Sequence, residues 1–493
     1  MTLLRYLLIL LVALAAFMVV RTLVVLPAGV PLSLKPAQID PIEATRIAGN
    51  LSTAIQFQTI SHSLDRAPDN AAFSGFHEFL SETYPAVHEV MTLETVSGYS
   101  LMYRWPAGKP SSRKPVALLA HMDVVPVPAH GISDWRQPPF AGVIDADGTI
   151  WGRGALDDKG ILISIMEAAE RLVTAGFAPD RDIYLLFGHD EELGGDKGAA
   201  LMAKRLEESG VQLAWAMDEG SAIVNGIIPG VESPVALISL GEKGSATLKF
   251  SAEDAGGHSS APKNYTAASL AAAAGVAVTE NQYPLVLDEH LEAMLMAIAP
   301  EMDFSKRLAI ANLWATRGLL TDQLAKSPTV AAFMHTTTAF TMMNAGTKSN
   351  ILPQYGEALV NYRIHPRDSV ASVMARAEAI VADERITITN MGGGREATSM
   401  SEKSGEGYSL IEATIRAEFG DIPIAPTLTV QGTDARHYGE VADGTYRFMP
   451  FVAGPDTLKQ IHGTNEHISS VTLARQVDFF EALIRRSAGA GIP

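Results

Sequence analysis

His121 and Asp123 in "AHMD", Glu191 and Glu192 in "HDEEL", Asp218 in "AMDEG" and His462 in "QIHGTNEH" are residue types that bind cations through nitrogen and oxygen. If His121 and Asp123 stand at i and i+2 on a strand end, both side chains point to one face. A carboxylate placed there can accept the second N–H of a metal-bound imidazole, fixing its tautomer and raising its basicity. The chain has no cysteine. Imidazole and carboxylate donors without thiolate suit zinc, with cobalt or manganese as substitutes. Two metals about 3.5–4 Å apart need a bridging carboxylate and an activated water, and Asp157 is the natural bridge.

Asp157 lies in "GRGALDDKG", Gly152 to Gly160, which first reads as a phosphate loop at a helix start. That reading fails on residue identity. A P-loop has glycine before its lysine and Ser or Thr after it, whereas Asp158 precedes Lys159 and Gly160 follows. Two carboxylates would also repel a phosphate at the helix N-terminus. Lys159 is left with no chemistry, and a salt bridge to a nearby carboxylate is expected.

These residues need strand ends to hold them. "PVALLAHMD" (115–123), "DIYLLFGHDEE" (182–192) and "LAWAMDEG" (213–220) are apolar runs that end in acidic or histidine residues. "ILISIMEAAERLVTAG" (161–176) has helical spacing in Ile161, Ile165 and Leu172 and a glycine stop. The alternation predicts an α/β layered domain, with ligands gathered where the strands end. Near 241 the texture changes. "GSATLKFSA" and "ALVNYRIHP" (358–366) read as strands, separated by Ala- and Met-rich helices such as "LEAMLMAIA", with Leu291, Met294, Leu295 and Ile298 on one face. This predicts a smaller inserted α+β domain over 241–392, flanked by catalytic segments 42–240 and 393–493. The Met- and Leu-rich stretch from about 285 to 340 suits core or dimer interface, and it could also line an acyl-chain pocket.

At 493 residues, with 47% hydrophobic and 19% charged residues, the chain is a globular protein of two or three domains. A net charge of -17 argues against non-specific nucleic-acid binding. The N-terminus departs from the rest. Tyr6 to Val20 is uncharged and covers only about 22 Å of a ~30 Å bilayer core. Extension through Leu26 gives enough length, with Arg21 snorkelling toward a headgroup. Residues 1–26 are therefore expected to be an uncleaved anchor. The rival is a signal peptide with Ala13-Leu14-Ala15 as its cleavage site. Arg5 and the amino terminus favour an extracytoplasmic body, secreted if the segment is cleaved. Residues 27–41 read as a proline-punctuated tether.

The strings "HMDVVPV", "WRQPPFAGVIDADGTIWGRGALDDKG", "GHDEELGG", "MDEG", "GGHSSAP" and "HGTNEHIS" together resemble the dizinc peptidase and amidohydrolase family of carboxypeptidase G, carboxypeptidase S and aminoacylase. They appear in family order over residues 45–490. The resemblance is nearest to the carboxypeptidase S branch and its relatives acting on N-acyl amino acids. It implies a zinc-exopeptidase-like three-layer domain with an inserted lid that mediates homodimerisation. It also implies two Zn2+ per chain, one on His121 and Asp218 and the other on Glu192 and His462. Asp157 would bridge them, with a cis peptide to Asp158, and Asp123 would support His121. Glu191 would be the general base in hydrolysis of an amide beside a free carboxylate, in small peptides or N-acyl amino acids. His258 in "GGHSSAP" would stabilise the oxyanion, often in the partner's site. Asn350 and Arg363 match substrate-binding positions of the lid, and Arg436 in "GTDARHY" is a further carboxylate candidate. A dipeptidase or desuccinylase with polar substrates, and a degenerate membrane-tethered binding protein, are the alternatives.

Overall fold

Apolar runs punctuated by turns produce two large sheets and two short ribbons. The computed structural model describes residues 2–30 and 32–489; Met1 of the expected anchor, Pro31 of the expected tether and residues 490–493 lie outside them. Six strands come first: β1 (Thr92–Val96), β2 (Ser100–Trp105), β3 (Val116–His121), β4 (Ile183–Gly188), β5 (Trp215–Val224) and β6 (Val235–Glu242). Four follow, β7 (Gly244–Glu253), β8 (Thr337–Ala345), β9 (Tyr355–Ile364) and β10 (Ile386–Arg395), and then β11 (Ile424–Thr429) and β12 (Thr445–Ala453). The main sheet has eight strands in the order β1-β2-β4-β3-β5-β12-β6-β11. Its centre is parallel, β3 beside β4 and β5, and β5 beside β12.

Both faces of that sheet are covered, which explains the unbroken apolar strands. The helices that matter are α1 (Thr2–Val25), α2 (Pro41–Gln56), α3 (Lys159–Thr174), α4 (Ala199–Glu208), α5 (Glu289–Ile298), α6 (Phe304–Ala311), α7 (Leu313–Leu324) and α8 (Ser470–Ala488). Val116, Leu118 and Ala120 of β3 join one core with buried residues of α2, α3 and α8. Ala117 and Leu119, on the opposite face, join Met202 and Leu206 of α4. This is the expected α/β three-layer fold.

The second sheet, in the order β8-β9-β7-β10, is antiparallel. Its alternation is visible in β7, where Ala246, Leu248, Phe250 and Ala252 are buried and their neighbours are not. The helices over 267–280 and 370–381 cover one face through Ala274, Val278, Val373 and Ala377. Residues 285–334 belong elsewhere. Leu291, Leu295, Ile298 and Ile310 share a core with Val224, Val235 and Ala425 of the main sheet and with Leu26 at the foot of α1. The Met- and Leu-rich stretch therefore packs on the edge of the catalytic layer and on the N-terminal helix.

Two sequence expectations change at the N-terminus. Arg21 does not snorkel: its Nε donates to Ala311 O at 2.8 Å. The tether is also pinned down. Gly29 N donates to Pro300 O (2.8 Å), Leu32 N to Ser233 Oγ (2.7 Å) and Lys35 N to Phe419 O (2.8 Å). Lacking secondary structure, this segment finds partners for its backbone donors along the body.

Candidate active site

Five segments converge on one point: the ends of β3 and β4, the middle of β5, the loop before α3 and the loop carrying His462. His121 is the last residue of β3, and its Nδ1 lies 2.9 Å from the carbonyl oxygen of Asp123 and 3.4 Å from that residue's Oδ1. With Nδ1–H donating there, Nε2 presents its lone pair to the cleft. Asp123 does more than support the imidazole. Its carboxylate accepts from Ser61 Oγ at 2.7 Å and from the backbone N–H groups of Glu191 and Glu192 at 3.2 Å each. One carboxylate thus sets the mutual position of two segments.

Asp157 stands between two histidines. Its Oδ1 lies 3.0 Å from His121 Nε2 and its Oδ2 lies 3.1 Å from His462 Nε2. His462 Nε2 is also 3.1 Å from Glu192 Oε2. The peptide between Asp157 and Asp158 is cis, as the family resemblance implied. Asp158 points the other way and accepts from His121 N at 3.3 Å. His462 sits in the left-handed region at φ 57, so its loop is held in a conformation few non-glycine residues adopt.

Asp218 does not join this group. Its carboxylate accepts from Ala435 N at 2.6 Å and from Glu219 N at 3.0 Å. Glu219 takes the expected place, with Oε1 3.7 Å from His121 Nε2. Glu219 forms one close group of donor atoms with His121 and Glu191, while Asp157 and Glu192 form another with His121. Successive strand side chains take opposite faces, so only one of the two acids could reach the cleft. The sequence could not say which, because Ala216 and Met217 leave both faces of β5 apolar.

The donor set fits divalent metal. Neutral imidazole nitrogens and carboxylate oxygens crowd within hydrogen-bond distance with few protons to share between them. Glu192 Oε1 is buried and has no protein partner. Burial, with the charges of Asp434, Glu192 and Asp123, pushes the Glu191 carboxyl well above the usual carboxylate range, against the pull of His121. Burial raises Glu219 likewise, with Asp157 adding to it.

Glu466 carries a structural role that its motif did not reveal. Its Oε1 accepts from the N–H groups of Gly154, Leu156 and Asp157 at 3.0, 2.8 and 3.1 Å, and its Oε2 pairs with Arg153 Nη1 at 2.7 Å. Gly154, at φ +89, is needed to turn the loop around that carboxylate. Among the described residues Lys159 forms no salt bridge. It is fully buried, and its Nζ donates to Ala54 O (3.0 Å) and Phe57 O (2.5 Å) at the C-terminus of α2. Burial lowers its pKa to about 7. Orphan carbonyls at a helix end satisfy it in place of a carboxylate.

The remaining candidates divide. Arg436 Nη1 donates to Thr433 O at 2.9 Å and its Nη2 to Gly194 O, which places the guanidinium beside the Glu191–Leu193 turn. Arg395, missed in the sequence, lies beside it; both guanidinium groups flank Gly194 and Gly432. Burial, with the charges of Arg436 and Arg363, lowers the pKa of Arg395. Among the described residues, Arg363, Arg395 and Arg436 have no carboxylate ion pair. His258 and Asn350 are not at the cluster. They are exposed on a small ribbon where 257–258 pairs with 351–352, and Ser259 N donates to Asn350 O at 3.2 Å. The cleft beside the metal donors, about 440 Å³, is walled by Val224, Leu237, Phe333, Leu428, Met449 and Phe451.

Residues 117–486 match the model of peptidase family M20/M25/M40. The chain belongs to the M20 family. It is 35% identical over 461 residues to the probable carboxypeptidase S-like 2 of Dictyostelium discoideum, covering 92% of this chain and 88% of that one. It is also 35% identical over 454 residues to the N-fatty-acyl-amino acid synthase/hydrolase of Xenopus tropicalis, covering 92% and 88%. The M20 metallo-carboxypeptidase Sso-CP2 of Sulfolobus solfataricus shares the fold, with a TM-score of 0.61 at 16% identity, covering 91% of this chain and 99% of that one. The chain is therefore a metal-dependent peptidase or amidohydrolase of the M20 type.

Proposed function

We propose that this M20 chain is a membrane-anchored dizinc hydrolase that cleaves the amide of an N-acyl amino acid or small peptide beside a free carboxylate. The observation that carries it is the convergence of His121, Asp157, Glu191, Glu192, Glu219 and His462 at the mouth of a cleft with an apolar wall. His121, Asp157 and Glu219 would hold one ion, and Asp157, Glu192 and His462 the other. When bound, the metals polarise the scissile carbonyl and acidify water. Glu191 takes the proton from the attacking water and returns it to the leaving amine, a task suited to a carboxyl whose pKa is raised by burial.

Arg436, with Arg395 and Arg363, holds the substrate carboxylate through bidentate hydrogen bonds. The apolar wall favours an acyl chain over a polar side chain, and the relatives named for N-fatty-acyl-amino acids support that choice. His258 and Asn350 reach the site of a second copy across a lid-mediated homodimer, where His258 stabilises the oxyanion. Exposed Met342, Met343 and Ile351 beside this ribbon supply the apolar surface such a dimer needs. Helix α1 is the anchor, retained in the mature chain, with the body extracytoplasmic.

The test compares hydrolysis of N-lauroyl-phenylalanine with that of a dipeptide, alongside metal content. Two zinc ions per chain and faster turnover of the acyl substrate are expected. Dipeptide turnover exceeding that of the acyl substrate would overturn the substrate reading, and absence of bound metal would overturn the mechanism.

A further inference from the structure

Helix α1 does not stand free of the body. Along its last turns it is bolted to the junction of α6 and α7. Arg21 Nε donates to Ala311 O at 2.8 Å, and Asn312 Nδ2 donates to Thr22 Oγ1 (3.1 Å) and Met18 O (3.2 Å). Arg307 Nη1 donates to Leu26 O at 2.9 Å. Phe17 meets Trp314 edge-on, with ring centroids 6.2 Å apart. These donors find their acceptors within the protein, as groups must where water is scarce, while Arg307 Nε and Asn312 Oδ1 have no protein partner.

The joint fixes a depth. Phe17 lies eight residues before Val25, the last residue of α1, so it sits about 12 Å inside the helix end. A bilayer core of ~30 Å requires roughly 20 apolar residues. The residues before Phe17 are too few to span it alone. Phe17, and with it Trp314, must then lie below the headgroup surface. α7 has no buried residue of its own. Trp314 and Leu319 are 56% and 64% exposed, and Ala315 and Gly318 lie open between them. Phe304 on α6 is exposed too. Asp322, in the last turn of α7, marks where this apolar face ends. Tryptophan at the rim of an apolar surface is the residue type that membrane interfaces select.

We infer that the face of α6 and α7 around Trp314 and Leu319 is a lipid-contacting surface, embedded in the interfacial layer of the bilayer that α1 spans. This rests on the reading of α1 as a retained anchor. The insertion over 285–334 then has a role that a minimal lid would not require: it seats the catalytic layer on the membrane. The same insertion continues to Phe333, which walls the metal cleft.

The chain carries its own reporter. Of its five tryptophans, Trp105, Trp135, Trp151 and Trp215 are buried and Trp314 is exposed. Full-length protein is reconstituted in phosphatidylcholine vesicles with plain or brominated acyl chains. The Trp314 signal is the emission of the unsubstituted protein minus that of Trp314→Phe. It is expected to fall several-fold in brominated vesicles and to respond little to aqueous iodide. Leu319→Trp on the Trp314→Phe background should behave the same way and guards against a local fault in the first variant. Protein that floats with vesicles while iodide, and not bromine, quenches Trp314 would overturn this inference alone. Quenching by neither agent would assign the face to a second copy of the chain and also overturn it. Protein that does not float would overturn the anchor reading and this surface with it.

Discussion

At the residue scale, adjacent acids in β5 have opposite fates. Asp218 spends its oxygens on the backbone of Ala435 and Glu219, whereas Glu219 faces His121. Glu219→Gln should therefore lose about one zinc per chain, read by elemental analysis, together with activity. Asp218→Asn should keep both metals and lose stability instead, because a buried acceptor of two N–H groups is disturbed. The opposite pattern would restore Asp218 as the ligand. Glu191→Gln should retain both metals while turnover falls by roughly 10²–10⁴, the usual weight of a positioned general base.

At the element scale, the loop from Gly152 to Asp158 holds Asp157 at the entry to α3, and Glu466 holds the loop. Three backbone donors and Arg153 depend on that one carboxylate. Glu466→Ala would leave three N–H groups without partners and the buried Arg153 guanidinium without its counter-charge, held only by Gly463 O. A cost of about 3–5 kcal/mol is expected, read as a lower midpoint in urea, with weaker zinc retention because Asp157 loses its support. Unchanged metal affinity would show that the loop is held by other contacts. Lys159 belongs to the same logic. What looked like a ligand for an anion is a donor that ties the C-terminus of α2 to the start of α3.

Across the whole molecule, the metal cluster gives the fold a charge problem that cations solve. Burial, with neighbouring carboxylates, raises the carboxyls of Asp158, Glu191, Glu219 and Asp434 well above their usual range. Folding of the metal-free chain therefore takes up protons at these groups. The sign follows: stability falls as pH rises above the unfolded carboxylate range of about 4. The melting temperature of chelator-treated protein should drop between about pH 5 and pH 8, and saturating zinc should flatten the profile. A flat profile without metal would contradict the burial argument. Assembly has its own test. Inactive His258→Ala and inactive Glu191→Gln chains, mixed and allowed to exchange subunits, should regain activity, because one site in the mixed dimer then has both groups intact. No recovery after verified exchange would place His258 outside catalysis.

The cation-binding chemistry and the layered fold are legible in the linear order of residues. Apolar runs leading to His121, to Glu191–Glu192 and to Asp218 read as strands that deliver polar residues to one end of a parallel sheet, and the absence of cysteine restricts the donors to nitrogen and oxygen. Which acid of β5 faces His121 emerges only on folding, since a strand buried on both faces carries no pattern to orient it. The same holds for Glu466 and Arg395, whose roles depend on contacts across more than 100 residues that no local spacing encodes. It holds also for Arg21 and the stretch from 285 to 334. Their apolar and basic residues read as core or anchor in either setting. The packing of α1 against α6 and α7 is what joins them into one platform.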